Sequence, residues 1–222
     1  MSKMFFAPTV ALAFAAGLAL SAPAMAEARH DHDHAAHDHD HSPAQAEIAK
    51  GYFEDSQIAP RALSDWEGEW QSVYPFLVDG TLDPVMAHKA EHGDKTAQEY
   101  RDYYGIGYKT DVDRITIAGD QVTFARKDGA VTGQYADDGF EVLTYPKGNR
   151  GVRFIFKKVA GDEAAPAFIQ FSDHHIAPEK VGHYHLYWGD DRAAILEELT
   201  NWPTYYPAAL SAQQVVQEML AH

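Results

Sequence analysis

The chain has 222 residues, of which 45% are hydrophobic and 23% charged, a balance typical of one globular domain with at most a small appendage. Its formal net charge is −15, which disfavours nucleic acid and anionic lipid as partners and favours divalent metal ions. The chain has no Cys, so disulfides, thiolate zinc sites, iron–sulfur clusters and cysteine nucleophiles are excluded.

The first 26 residues predict a secretory signal peptide. Lys3 supplies the positive start, residues 4–20 are apolar and uncharged, and Ala24 to Ala26 form a small-residue cleavage pattern. The apolar run is short for a bilayer-spanning helix, which favours cleavage after Ala26 over a membrane anchor. No later stretch is apolar enough to cross a membrane, so we expect a periplasmic protein.

Residues 27–46 form a low-complexity segment in which His and Asp alternate. Such a polar segment builds no core, and we expect it to be disordered until it binds a partner. Mobile imidazoles interleaved with carboxylates chelate divalent ions weakly, which predicts an accessory site for Zn²⁺, Cu²⁺ or Ni²⁺. A solvated acidic linker is the alternative. The six histidines are His30, His32, His34, His37, His39 and His41.

The next part of the chain, residues 47–110, is predicted to be mostly helical. A first helix is expected from Leu63, with Ser64 as its N-cap and a break near Pro75, because proline interrupts the helical hydrogen bonds. These residues are rich in aromatic side chains, and we expect them to form a core where the helices meet the rest of the fold.

Two further helical signals follow in the same part of the chain. Thr96 and Glu99 have the spacing of a capping box, which predicts a helix that ends near Tyr104. His88 and His92 are four residues apart, so on a helix they share one face. They are either a further metal pair or two exposed surface histidines, and the second interpretation is favoured.

Residues 111–190 change to a period of two, which is typical of β-strands. Short alternating segments separated by Gly and Asp turns, including Asp138-Gly139, predict an antiparallel meander. A meander of this length usually closes into a barrel, because closure removes exposed edges. The predicted strands cover residues 114–117, 121–124, 131–135, 140–145, 151–156, 167–171 and 183–188.

Residues 191–222 return to helical patterns and are expected to pack on the barrel. A helix is predicted over residues 191–199, followed by a rigid aromatic linker at residues 202–207. Ser211 and Gln214 then form a second capping-box pattern, which predicts a last helix. The whole chain is therefore predicted as an α+β fold that is mainly β.

The strongest functional signal is the histidine pair His183 and His185. Because side chains alternate along a strand, both imidazoles lie on one face. A third imidazole from a neighbouring strand would complete a three-histidine zinc site, and parity allows either His174 or His175, but not both. The alternative is a pair of half-buried histidines bonded to the backbone. The acidic composition, the lack of Cys and the His-rich segment favour the metal.

Several segments resemble the ZinT (YodA-like) family of periplasmic metal-binding proteins. The resemblance extends over nearly all of residues 47–222. It implies a calycin or lipocalin-like antiparallel β-barrel with an attached helical subdomain and a metal site at the barrel mouth. The segments that carry it, with the His-rich start of the mature chain, are SDHHIAPEKVGHYHLYWGD (172–190), LSDWEGEWQSVYP (63–75), DYYGIGYKTDV (102–112) and NWPTYYPAALS (201–211).

The same resemblance implies a ligand set and a partner. The family's three histidine ligands fall on His174, His183 and His185 of this chain. The resemblance therefore favours His174 over His175 as the third ligand. Members of the family bind zinc, and also cadmium and other divalent ions. They are linked to zinc scarcity, with the solute-binding protein of a zinc ABC transporter as the proposed partner. We therefore expect Zn²⁺ as the metal, with Cd²⁺, Cu²⁺ and Ni²⁺ as further candidates.

Two functions are compatible with such a site. The first is a non-enzymatic periplasmic protein that captures Zn²⁺ under zinc limitation and passes it to the uptake system or buffers it. The second is a zinc hydrolase or hydratase, in which the metal activates a bound water. Catalysis also needs a shaped substrate pocket and a proton shuttle, and the sequence identifies neither. A carrier of small apolar ligands, suggested by the barrel alone, ranks last.

Overall fold

The computed structural model describes residues 43–221, and these contain a closed antiparallel β-barrel of eight strands. Each strand pairs with its neighbours in the sequence, and the first pairs with the last. The predicted signal peptide and the six histidines at 30–41 lie outside the described residues. The strands are β1 (Gly68–Ser72), β2 (Arg114–Ala118), β3 (Gln121–Arg126), β4 (Gly129–Thr144), β5 (Arg150–Gly161), β6 (Phe168–Ser172), β7 (Tyr184–Gly189) and β8 (Thr204–Pro207).

The helices of the described residues lie before, between and after the strands. Three of them connect β1 to β2, and another connects β7 to β8. Within residues 43–221, none of the helices combines the length and the apolar character that a membrane span requires. They are α1 (Pro43–Ala49), α2 (Tyr74–Val78), α3 (Asp83–His92), α4 (Ala97–Gly107), α5 (Arg192–Glu197) and α6 (Ala212–Ala221).

The barrel interior is filled by aromatic side chains, because alternate residues of each strand point inward. Trp66, at the end of a 3₁₀ turn that precedes β1, is fully buried and stacks on Phe171, with ring centroids 4.4 Å apart. Phe154 and Phe156 lie against the same indole, at 5.9 and 6.0 Å. This packing leaves the barrel as a solid core, which argues against a carrier of apolar ligands.

A second core lies outside the barrel and holds the helical part together. It contains Leu77, Met86 and Val215 from α2, α3 and α6, and also Tyr206 from β8. Since Tyr206 is on the outer face of its strand while its neighbour Tyr205 is in the barrel core, the helices pack on the outside of the barrel wall. The predicted α+β fold, a barrel with an attached helical part, is confirmed.

The barrel extends beyond the predicted range of residues 111–190. The helix predicted from Leu63 to near Pro75 is wrong, because this stretch forms a 3₁₀ turn, strand β1 and the start of α2. Gly68 marks the change, with a φ of +142° that a helix does not allow. The predicted linker at residues 202–207 contains β8, whose Thr-Tyr-Tyr run suits a strand although prolines flank it.

Other predicted boundaries also change. The two strands predicted at residues 131–135 and 140–145 form one strand, β4, because the register against β5 shifts between Asp137 and Phe140 and the expected turn becomes a bulge. The end of the segment predicted as disordered, residues 43–46, is helical in α1.

Both predicted capping boxes are confirmed. Thr96 accepts from the backbone of Glu99 at the start of α4, while the Glu99 carboxylate accepts from the Thr96 amide. Ser211 and Gln214 make the same reciprocal pair of hydrogen bonds just before α6. Each box satisfies backbone donors that a helix leaves without partners in its first turn.

Candidate metal centre

Three histidines predicted as metal ligands come together where β6, β7 and β8 meet the helical part. The ring centroids of His174 and His183 are 5.5 Å apart, and those of His183 and His185 are 6.1 Å apart. All three side chains are half-buried and line one cavity of about 210 Å³. Three imidazoles that line one cavity are the donor set from which a three-histidine zinc site is built.

The site lies on the outer face of the barrel wall. Tyr184 and Leu186, which alternate with the histidines along β7, point into the barrel core, as the period of two predicts. His183 and His185 therefore face the helices, and the cavity is bounded by α3, α4 and α6 on that side. The family resemblance implies a site at the barrel mouth, whereas the structure places these histidines in a cavity between the outer face of the wall and the helices.

Side chains continue to alternate between the two faces beyond the end of β6, which explains why His174 lies on the same side as His183 and His185. Ser172 is the register partner of His185 on the outer face, whereas Phe171 is in the barrel core. Asp173 then turns inward, with a side chain only 1% exposed, and His174 turns outward again. His175 falls on the other side, and its Nδ1 lies 2.9 Å from the Glu179 carboxylate.

The hydrogen-bond partner of His185 fixes its tautomer. Its Nδ1 lies 2.8 Å from the hydroxyl of Thr204, its register partner on β8. That hydroxyl already donates its hydrogen to the carbonyl of Trp202, at 2.9 Å, so it accepts from His185. Nδ1 of His185 therefore carries a proton, and in the neutral ring the lone pair that can bind a metal is on Nε2.

The other two imidazoles are also oriented by specific contacts. His174 Nδ1 lies 3.2 Å from the carbonyl of Ala49, the last residue of α1; since a carbonyl only accepts, Nδ1 is again the protonated nitrogen. The ring of His183 stacks on Tyr206 of β8, with centroids 5.0 Å apart and an interplanar angle of 11°. Such contacts restrict ring rotation before any metal binds.

The walls of the cavity are largely aromatic. Burial raises the pKa of the phenols of Tyr104, Tyr108 and Tyr206, so these groups keep their protons and offer no anionic ligand. Lys89 of α3 also lines the cavity, with its ammonium 5.4 Å from the ring centroid of Tyr104. The candidate protein ligands that line the cavity are therefore the imidazoles of His174, His183 and His185.

A buried ion pair holds the loop that carries the histidines. The guanidinium of Arg61, whose side chain is 0% exposed, donates to both carboxylate oxygens of Asp173 at 2.9 Å. It also donates to the backbone carbonyl of Glu179 and lies over the ring of Trp66, 4.1 Å from the centroid. The Trp66 indole donates to Asp173 as well, at 2.9 Å. The residue before His174 is thereby attached to the barrel core.

The remaining predicted site residues lie elsewhere. His88 and His92 are exposed on α3, with ring centroids 4.8 Å apart, and neither lines the cavity. The accessory histidines 30–41 and the terminal His222 fall outside the described residues. The sequence interpretation missed Thr204 and Tyr206 as residues of the site, because their segment was predicted to be a linker. Had it been read as a strand, Thr204 and Tyr206 would share one face and Tyr205 would lie on the other.

A family model described as "ZinT (YodA) periplasmic lipocalin-like zinc-recruitment" matches residues 44–222. Among curated proteins, "Probable metal-binding protein YrpE" of Bacillus subtilis (strain 168) is 58% identical over 177 residues, 79% of this chain and 70% of the relative. "Zinc-binding protein AdcA" of Streptococcus pyogenes serotype M1 is 52% identical over 180 residues. That match covers 79% of this chain but only 35% of AdcA.

Solved structures show the same relationship. The crystal structure of the Zn(II)-bound ZinT-like domain of Streptococcus pneumoniae AdcA is 47% identical, with a TM-score of 0.76. The match covers 78% of this chain and 97% of that domain. Against the Zn(II)-bound AdcA chain of the same organism, identity and TM-score are the same, and coverage is 79% of this chain and 38% of the other.

We expect Thr204→Val to lower the zinc affinity by about 10- to 100-fold, because the isosteric side chain no longer accepts the Nδ1–H of His185. Thr204→Ser keeps the hydroxyl and should retain affinity close to that of the unmodified protein. Competition against a chromophoric chelator measures both. Equal losses in the two variants would show that packing at Thr204, rather than its hydroxyl, matters.

We also expect Asp173→Asn to lower the free energy of unfolding by about 3 kcal/mol, because it removes the more deeply buried of the two carboxylates that pair with Arg61, the other being Asp65. Asp111→Asn is the matched control: it breaks an exposed pair with Arg126, also 2.9 Å long, and should cost less than about 1 kcal/mol. Urea unfolding at neutral pH compares the two. Similar midpoints would contradict the role given to the buried pair.

Proposed function

The chain belongs to the ZinT (YodA) family of periplasmic lipocalin-like zinc-recruitment proteins, and from this premise we propose that it binds Zn²⁺ through His174, His183 and His185. The observation that carries the assignment is the shared tautomer of two of these rings. The Nδ1–H groups of His174 and His185 meet fixed acceptors, which presents Nε2 as the ligand atom.

The geometry favours binding and release over catalysis. Three imidazoles leave one position of a tetrahedral zinc open to water or to an incoming ligand, which suits transfer of the metal. A hydrolase would also need a general base near that position. Among the described residues that line the cavity there is no carboxylate, and the tyrosines are held as neutral phenols by burial. The role that we propose for the protein is therefore that of a zinc carrier.

The donor set limits the metals that the site accepts. Imidazole nitrogens bind borderline ions, so Cd²⁺, Ni²⁺ and Cu²⁺ are further ligands of the same site, with Cu²⁺ expected to bind more tightly than Zn²⁺. Hard ions such as Mg²⁺ and Ca²⁺ prefer oxygen ligands and are excluded. Zinc is the physiological cargo in this proposal because the description of the family and the name of the AdcA relatives both specify zinc.

The proposed setting is the periplasm, reached through the signal peptide at residues 1–26. The histidines at 30–41 would act there as a weak accessory chelator that raises the zinc concentration near the main site. The proposed recipient is the solute-binding protein of a zinc ABC transporter. In AdcA a region like this chain covers only 35% of a longer zinc-binding protein, which supports a partner that itself binds zinc.

A zinc titration tests the ligand assignment. We expect the His174→Ala/His183→Ala/His185→Ala variant to lose one tight site, since the three side chains supply all the protein ligands of that zinc. Competition against a chromophoric chelator counts the sites and gives their affinities. A tight site that survives the triple substitution would overturn the assignment.

The matched variant for the accessory segment is a deletion of residues 27–42. It should remove only weak binding, because it spares α1, whose last carbonyl orients His174. A deletion extended to residue 46 would cut into that helix and confuse the two effects. Loss of the tight site on deletion of 27–42 would assign the main site to the tail.

A transfer experiment tests the carrier role. The zinc-loaded protein is mixed with the metal-free solute-binding protein, and metal transfer is followed by stopped flow. We expect the rate to rise with acceptor concentration, because an incoming ligand attacks the open position directly. A rate that equals spontaneous zinc dissociation and ignores acceptor concentration would instead indicate a buffer that releases free ion.

A further inference from the structure

A second group of metal-ligating side chains lies on helix α3, outside the cavity. His88, Glu91 and His92 each offer a ligand atom, and these atoms all lie within 4.8 Å of one another. All three side chains are exposed, whereas Val85 and Met86 in the first half of the helix are buried. The spacing of three and four residues places them on one solvent face of the helix.

The three side chains are available to a cation. Within residues 43–221, no hydrogen bond or ion pair engages these side chains, and the two imidazole rings are neighbours, with centroids 4.8 Å apart. Binding there requires neither burial of charge nor movement of the backbone. His92 is the last residue of α3, where the carbonyl end of the helix dipole favours positive charge.

We propose that His88, Glu91 and His92 form a second, exposed site for a borderline divalent cation such as Zn²⁺, Ni²⁺ or Cu²⁺. Two imidazoles one helical turn apart supply the main ligands, and the Glu91 carboxylate adds a negative charge and a third ligand atom. Solvent completes the coordination. The site is weaker than one with three imidazoles and exchanges its ion more readily, since it is open on the solvent side.

Helix α3 carries both the proposed second site and a residue that lines the main cavity. Lys89, between the two histidines in the sequence, lines the cavity together with His174, His183 and His185. Its ammonium lies over the ring of Tyr104, so the positive charge is held on the cavity side of the helix. A cation on α3 is therefore bound beside the rim of the main site, on a separate set of ligands.

The experiment uses the ¹⁵N-labelled full chain, loaded with one equivalent of Zn²⁺, to which paramagnetic Ni²⁺ is added in steps up to millimolar concentration. We expect selective broadening of the backbone amide signals of residues 87–93. In His88→Gln/His92→Gln this broadening should require about 100-fold more Ni²⁺, because the second imidazole of a chelating pair binds intramolecularly. Ala87→Gln, on the exposed surface of the same helix, keeps both imidazoles and should match the unmodified chain.

Two outcomes would overturn the proposal: no broadening on α3 up to millimolar Ni²⁺, or equal broadening in the double variant. The imidazole signals of His185, followed in the same spectra, report the main site independently. Failure on α3 with an intact zinc response at His185 therefore rejects the second site alone. Failure at His185 with preserved broadening on α3 rejects the proposed main site instead.

Discussion

The buried ion pair between Arg61 and Asp173 is the constraint on which the metal centre depends. A buried guanidinium needs carboxylate partners, and Arg61 has two: Asp65, four residues farther along the chain, and Asp173, in the loop after β6. Arg61 also binds the carbonyl of Glu179 farther along the same loop. Two points of one loop are thus attached to one side chain, and the loop begins and ends next to His174 and His183. The positions of these ligands follow from electrostatics inside the core.

The strands at the site perform two tasks on their two faces. Inward residues such as Tyr184 and Tyr205 stack in the barrel core, while the outward residues between and beside them bind, orient or stack on the imidazoles. His185 and Thr204 are register partners, so the same pairing that closes the barrel brings acceptor and ligand together. A change on the outer face can therefore alter metal binding while the core stays intact, whereas a slip of one residue would exchange the two faces and destroy both.

Much of this arrangement follows from the sequence. The period of two predicted most strands of the barrel and placed His183 and His185 on one face. The capping boxes predicted where α4 and α6 begin. Parity did not choose between His174 and His175, because the choice depends on whether the alternation of β6 continues beyond its last ladder bond. Here it continues because Asp173 is drawn inward by Arg61, a residue 112 positions earlier. No local pattern contains that information.

The strands that close the barrel were harder to predict for a similar reason. β1 follows a 3₁₀ turn and lies three residues before Pro75, and the four-residue strand β8 follows Pro203 and ends at Pro207, so the local signals in both places favour turns. Their pairing with each other supplies the stabilisation that the local sequence lacks. Gln71 of β1 donates to the carbonyl of Pro207, across 136 positions. Context of this range overrides propensity.

Closure of the barrel by its first and last strands has a consequence for the order of events during folding. The pocket takes groups from Ala49 to Met219, and β8 completes it, so the histidines of β7 leave the ribosome before the hydroxyl that orients them. Contacts of such long range form late, because chain entropy opposes them until much of the structure exists. If zinc binds at the proposed centre, it binds the finished barrel best, because only there are the rings oriented by Ala49 and Thr204. Zinc would then stabilise the folded barrel, and the stability of the native state would depend on zinc supply.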